Sequence, residues 1–158
     1  MLEARPISIF SRDFSIEAGG QRVALLDVSH WREAGEVLIE GQPHRLYREG
    51  LMSGAFVLEN QGQALARAIK PSALSSQFNL EIDARPYFLK RDSAFRRAFS
   101  VFEGESLVGT IRPAGIFTRR ASLDLPQDWP IPVQVFVFWL VVIIWNRDDS
   151  ASASAASA

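Results

Sequence analysis

The sequence predicts a mainly β protein: an antiparallel barrel of about twelve strands, built of hairpins and enclosing a hydrophobic C-terminal helix at about 132–146. Three observations predict it. Short apolar-alternating runs cut by turn residues recur every twenty-odd residues from Ile7 to Leu125, the signature of successive hairpins. An apolar run, "VQVFVFWLVVIIW" (Val133 to Trp145), stands almost at the end of the chain. The chain has 158 residues, long enough for one domain with a sizeable core.

The elements follow in order. "ISIF" (Ile7 to Phe10) reads as an extra strand. "DFSIEAGGQRVALLDV" is a strand, a turn at Gly19-Gly20 and a second strand. "GEVLIEGQPHRLYREG" repeats the plan around Gly41-Gln42-Pro43, and "GAFVLENQGQALARAIK" around Asn60-Gln61-Gly62. "QFNLEIDARPYFLKRD" turns between Asp83 and Pro86, and "AFSVFEGESLVGTIRP" at Glu103-Gly104-Glu105. "RRASLDLP" is half a unit. The openings at Phe14, Val37, Phe56, Phe78 and Phe99 form a weak internal repeat. No long amphipathic helix with caps interrupts the series, and a closed barrel suits hairpins at this spacing. "RDSAFRRAF" (Arg91 to Phe99) leaves room for a helical turn.

The apolar run decides the architecture. As a helix, thirteen residues span about 20 Å, against about 30 Å for a hydrocarbon core. Pro132 suits a first helical turn. A buried strand, favoured by the many β-branched residues, and a membrane segment over 131–146 flanked by Trp129 and Trp145 are the competing readings. Length favours the buried helix, and a helix apolar all round needs walls on every side. The domain therefore covers 1–148, and the low-complexity Ser/Ala segment 149–158 reads as a disordered tail.

The hairpin units, the pattern in "FVLENQGQAL" (Phe56 to Leu65) and the terminal apolar helix together resemble the tubby C-terminal-like group. That group includes the LURP-one-related proteins and the phospholipid scramblases. The resemblance covers about Pro6 to Arg147. It implies a twelve-stranded barrel threaded by the C-terminal helix. It also implies a role at phospholipid, because tubby domains bind phosphoinositides through basic residues on the barrel exterior. The Cys-rich and Pro-rich regions of the scramblases are missing here, which speaks against scrambling activity.

Composition excludes several chemistries. The chain has no Cys, hence no disulfide, thiolate metal site or thiol catalysis. The net charge is -1, which argues against a globally basic nucleic-acid binder, so no nucleic-acid partner is expected. All basic residues except Lys70 and Lys90 are Arg. His30 and His44 have no metal-ligand spacing and read as surface or turn residues. The Gly50–Gly54 segment places Ser53 fourth, not third, so it is no nucleophile elbow. Asp124 and Asp128 lack the density of a calcium loop. Glu81 and Asp83 read as an exposed strand face. No enzyme, cofactor or small-molecule substrate is expected.

One feature has a direction. Between Arg85 and Arg120 the basic residues Arg85, Lys90, Arg91, Arg96, Arg97, Arg112, Arg119 and Arg120 face only Asp92, Glu103 and Glu105. Lys90, Arg91, Arg96, Arg97, Arg112, Arg119 and Arg120 are therefore the candidate headgroup- or anion-binding residues, on a basic face attracted to anionic phospholipid. Neighbours such as Arg96 and Arg97 point to opposite faces if they lie on a strand, so not all can serve one patch. A protein partner is the other expectation. "MLEARPISIF" carries Glu3 early and no long apolar run, so the expected location is cytoplasmic, with peripheral attachment at the inner membrane.

Overall fold

The computed structural model describes residues 1–29, 33–50, 54–93, 96–116 and 118–157. Twelve antiparallel strands form a closed barrel around one helix. They are β1 (Leu2–Pro6), β2 (Phe14–Ala18), β3 (Gln21–Val28), β4 (Gly35–Ile39), β5 (Gln42–Arg48) and β6 (Phe56–Asn60). Then come β7 (Gln63–Ile69), β8 (Gln77–Ile82), β9 (Arg85–Arg91), β10 (Phe99–Glu103), β11 (Ser106–Pro113), β12 (Ala121–Asp124) and α1 (Ile131–Ala156). Each strand pairs with its neighbour in sequence, and β1 closes the barrel on β12 through Leu2 opposite Leu123. Closure leaves no unpaired sheet edge.

The connections sort the barrel into two unlike ends. At one end, two-residue turns join β2–β3, β4–β5, β6–β7, β8–β9 and β10–β11. Four of these turns have positive φ at both central residues: Gly19-Gly20, Glu40-Gly41, Gln61-Gly62 and Asp83-Ala84. That geometry matches the twist of the flanking strands. Ala84 holds φ 58° without being glycine, and a left-handed conformation costs an L-residue about 1–2 kcal/mol. Ala84→Gly should therefore stabilise the protein by about 1 kcal/mol, after the larger entropy loss of Gly is set against the relieved strain. A higher urea midpoint at unchanged slope would show it.

At the other end, six longer loops span 7–13, 29–34, 49–55, 70–76, 92–98 and 114–120. Five share one closing bond, from the N–H of the first loop residue to the carbonyl of the last. These are Ile7 to Asp13 (3.0 Å), Ser29 to Ala34 (3.0 Å), Glu49 to Ala55 (2.8 Å), Asp92 to Ala98 (3.0 Å) and Ala114 to Arg120 (2.8 Å).

The repeat is longer than single hairpins suggest. A register shift falls at Ile16/Glu17, Leu58/Glu59 and Val101/Phe102, in alternate hairpins only. Phe14, Phe56 and Phe99 open these three hairpins, and all are fully buried. The barrel is thus three four-strand turns of one plan, the third completed by β12 and β1.

A barrel of twelve strands is wider than the eight whose side chains fill the interior, so the lumen needs a plug. The helix supplies it: every residue from Val133 to Trp145 is buried. Pro130 precedes the helix and Pro132 lies in its first turn, where a missing N–H costs nothing. Gln134 Nε2 donates to the Trp129 carbonyl at 2.8 Å, and Trp129 meets Tyr87 edge to face at 5.0 Å. At the far end Trp145 Nε1 donates to the Arg97 carbonyl at 3.0 Å. The apolar segment is therefore an internal helix, fixed at both ends.

Three expectations need correction. The first strand is Leu2–Pro6, and Ile7–Phe10 belongs to a loop, because Leu2 and Ala4 are the alternate residues that turn inward. The helix runs to Ala156, through the segment expected to be a disordered tail. Alanine is the best helix former, and extending an existing helix avoids the cost of a new nucleus. His44 is no surface residue: it is 7% exposed, set inward with Leu46 by the alternation of β5. His30 and Leu51–Ser53 lie outside the described residues.

Candidate functional site: the rim where the helix leaves the barrel

The helix enters among the tight turns and leaves among the long loops. Its exit is ringed by arginines. Each phenylalanine that opens a structural unit lies under a guanidinium: Arg119 over Phe14 at 5.0 Å, Arg48 over Phe56 at 5.1 Å and Arg91 over Phe99 at 5.5 Å. Arg97 covers Trp145 of the helix at 4.8 Å. Stacking on aromatic faces suits Arg and fixes where these cations sit.

The emerging helix meets this crown with charge of its own. Asp148 pairs with Arg91, Asp149 lies 3.7 Å from Arg97, and Arg147 pairs with Glu33. Glu33 also accepts from Arg48 at 2.8 Å. Arg119 donates instead to the carbonyls of Ser11 and Arg12 in the adjacent loop. Burial lowers the pKa of Arg119, and nearby Arg12 adds to the shift. Burial likewise lowers the Lys70 pKa, with help from Arg147. The crown is dense in cations that repel one another.

Beyond the crown, the loop tips carry apolar side chains in water. Ile9 is 86% exposed, Phe10 89%, Leu74 98% and Ile116 82%, and Ile7 is also exposed. All belong to loops 7–13, 70–76 and 114–120. Strand order brings these loops together with 92–98 along one continuous arc of the rim. The basic residues Arg12, Lys70, Arg96, Arg97, Arg119 and Arg120 lie on the same arc. Its acids Asp13 and Asp92 are engaged internally: Asp13 accepts from Val28 N–H and Ser11, and Asp92 accepts from Ser100 at 2.6 Å. By contrast, the turns and helix entry at the opposite end carry Glu40, Asp83, Glu105 and Asp128 and no basic residue. The molecule is polarised along the barrel axis.

The seven basic candidates fall into three places. Arg91, Arg97 and Arg119 belong to the crown. Arg96 and Arg120 are exposed on the rim loops. Lys90 and Arg112 are exposed on the outer wall, Lys90 lying 5.9 Å from the Phe102 ring centre. The structure brings five of the seven to one end of the barrel and leaves Lys90 and Arg112 on its side. Arg12, Arg48, Lys70 and Arg147 join the site from segments outside the basic stretch. The 42- and 43-residue spacings between Phe14, Phe56 and Phe99 are the signal that points to the crown. No group of three or more His, Asp or Glu suited to a metal ion occurs among the described residues. No family model, curated protein or solved structure matches the chain.

Proposed function

We propose that this protein is a binding module that docks onto an anionic phospholipid surface by its loop-bearing rim, as a peripheral and not a spanning protein. The observation that carries this is the rim arc, where exposed Ile9, Phe10, Leu74 and Ile116 stand among Arg96, Arg120 and the crown. Apolar tips supply burial at the acyl boundary, while neighbouring cations supply attraction to headgroups. The acidic opposite end favours the same orientation, since a negative leaflet repels it.

The helix projects from this end as well. Ser150 to Ser157 carry no charge. The hydroxyls of Ser150, Ser154 and Ser157 donate to carbonyls four residues earlier, at 2.8, 3.0 and 3.0 Å. Hydroxyls satisfied within the helix lower the cost of leaving water. The element order, which resembles the tubby-like group, supports a lipid role and suggests membership of that group. The docking residues proposed here keep Arg91, Arg96, Arg97, Arg119 and Arg120 from the charge count, leave out Lys90 and Arg112 on the outer wall, and add the apolar loop tips.

Flotation with phosphatidylcholine vesicles, with and without phosphatidylserine, tests the proposal. The protein should float only with the anionic vesicles and be released at high salt. Phe10→Glu combined with Arg96→Glu should weaken binding at least about tenfold, since burying one Phe contributes about 1.5–3 kcal/mol and one cation about 1 kcal/mol. Unchanged binding by this variant, or equal binding to neutral vesicles, would refute rim docking.

A further inference from the structure

Asp148 and Asp149 lie on the one element that passes through the middle of the crown. Each sits on the solvent side of the arginine it faces. The Arg91 side chain is 14% exposed against 46% for Asp148, and Arg97 is 29% exposed against 62% for Asp149. The arginines themselves lie over the rings of Phe99 and Trp145, at 5.5 and 4.8 Å from the ring centres. Their positions are thus fixed by stacking as well as by their acidic partners. A guanidinium donates to a carboxylate or a phosphate oxygen pair with the same planar fork. Both carboxylates are exposed enough to be displaced without unpacking the core.

Resting on the docking reading above, we propose that the helix carboxylates are an internal stand-in for the headgroup phosphate and restrain docking. Asp148 occupies Arg91 and Asp149 occupies Arg97. Close engagement of the rim exchanges carboxylate for phosphate at both arginines. Glu33 holds Arg48 and Arg147 on the far side of the exit, so the exchange is confined to the arc that also carries the apolar tips. The consequence is a rim that discriminates by surface charge density, because weakly anionic surfaces do not displace two carboxylates tethered beside their partners.

The test compares full-length variants for affinity to phosphatidylserine-containing vesicles. Asp148→Asn with Asp149→Asn frees both arginines. Asp149→Asn alone frees the more exposed one and guards against a folding defect. Asp124→Asn with Asp128→Asn makes the same change in net charge at the opposite end of the barrel. The rim variants should bind more tightly than wild type by about fivefold for each arginine released, and the control should not. If wild type floats and the rim variants do no better than the control, the restraint is refuted while docking stands. If no form floats, docking falls and the restraint with it. If only the rim variants float, the restraint is supported in its strongest form.

Discussion

A chain ended after Pro130 should fail to fold. Deleting the helix removes the twelve apolar side chains among Val133 to Trp145, all buried. At about 1.5–3 kcal/mol for each large side chain, the gross burial lost is on the order of 20 kcal/mol. Whole domains are stable by only about 5–15 kcal/mol. The strands lose their partner too, because the inward faces of Phe14, Phe56, Phe78 and Phe99 would line an empty lumen. A twelve-stranded ring has no means of closing that space with its own side chains. Far-UV circular dichroism and a urea melt of the truncated chain check this. Loss of the cooperative transition is the expected result. A soluble truncated chain that still melts cooperatively would mean that the apolar segment serves an independent β-domain as an anchor.

The hairpins are legible in the sequence because their turn chemistry is local. Gly19-Gly20, Gly41, Gln61-Gly62 and Gly104 stand where a two-residue connection needs them. The apolar run Val133 to Trp145 is legible in the sequence, but its length is not decisive. The helix has 26 residues, long and apolar enough to cross a membrane, and it is burial of the run by the barrel wall that makes it internal. Propensity without topology points the wrong way at the N-terminus and in the Ser/Ala segment. Ile7, Ile9 and Phe10 have the composition of a strand, yet the ladder to β2 ends at Pro6. Small Ala4 and Leu2 are the residues that turn inward, and their alternation with Glu3 and Arg5 is brief. The Ser/Ala segment has no core to join, but it continues a helix that the barrel has already nucleated. The basic stretch from Arg85 to Arg120 was visible as a charge count. Its division into crown, rim and wall was not, because the alternation of strands and the return of Asp148 and Asp149 through the lumen are tertiary facts. The spacing of Phe14, Phe56 and Phe99 is the exception: it stands in the sequence and marks the aromatic seats of the crown arginines.

The helix offers a second large effect at one residue. Trp139 is fully buried. It meets Phe56 at 5.8 Å and Phe136 at 6.1 Å. Trp139→Ala should cost about 3–5 kcal/mol, the range for removing a large aromatic from a core that cannot collapse into the gap. A closed ladder holds the wall strands in register, so little collapse is available here. Trp139→Phe separates two contributions. Its smaller ring leaves a void, but the indole Nε1 has no hydrogen-bond partner among the described residues. A buried donor without a partner costs about 1–3 kcal/mol. Removing that donor offsets much of the lost packing, so Trp139→Phe should lie within about 1 kcal/mol of wild type. Urea melts of the two variants decide the matter. A Phe variant nearly as damaging as Ala would show that shape, not the orphaned N–H, dominates the centre of the barrel, with the indole edge satisfied by the Phe56 ring face.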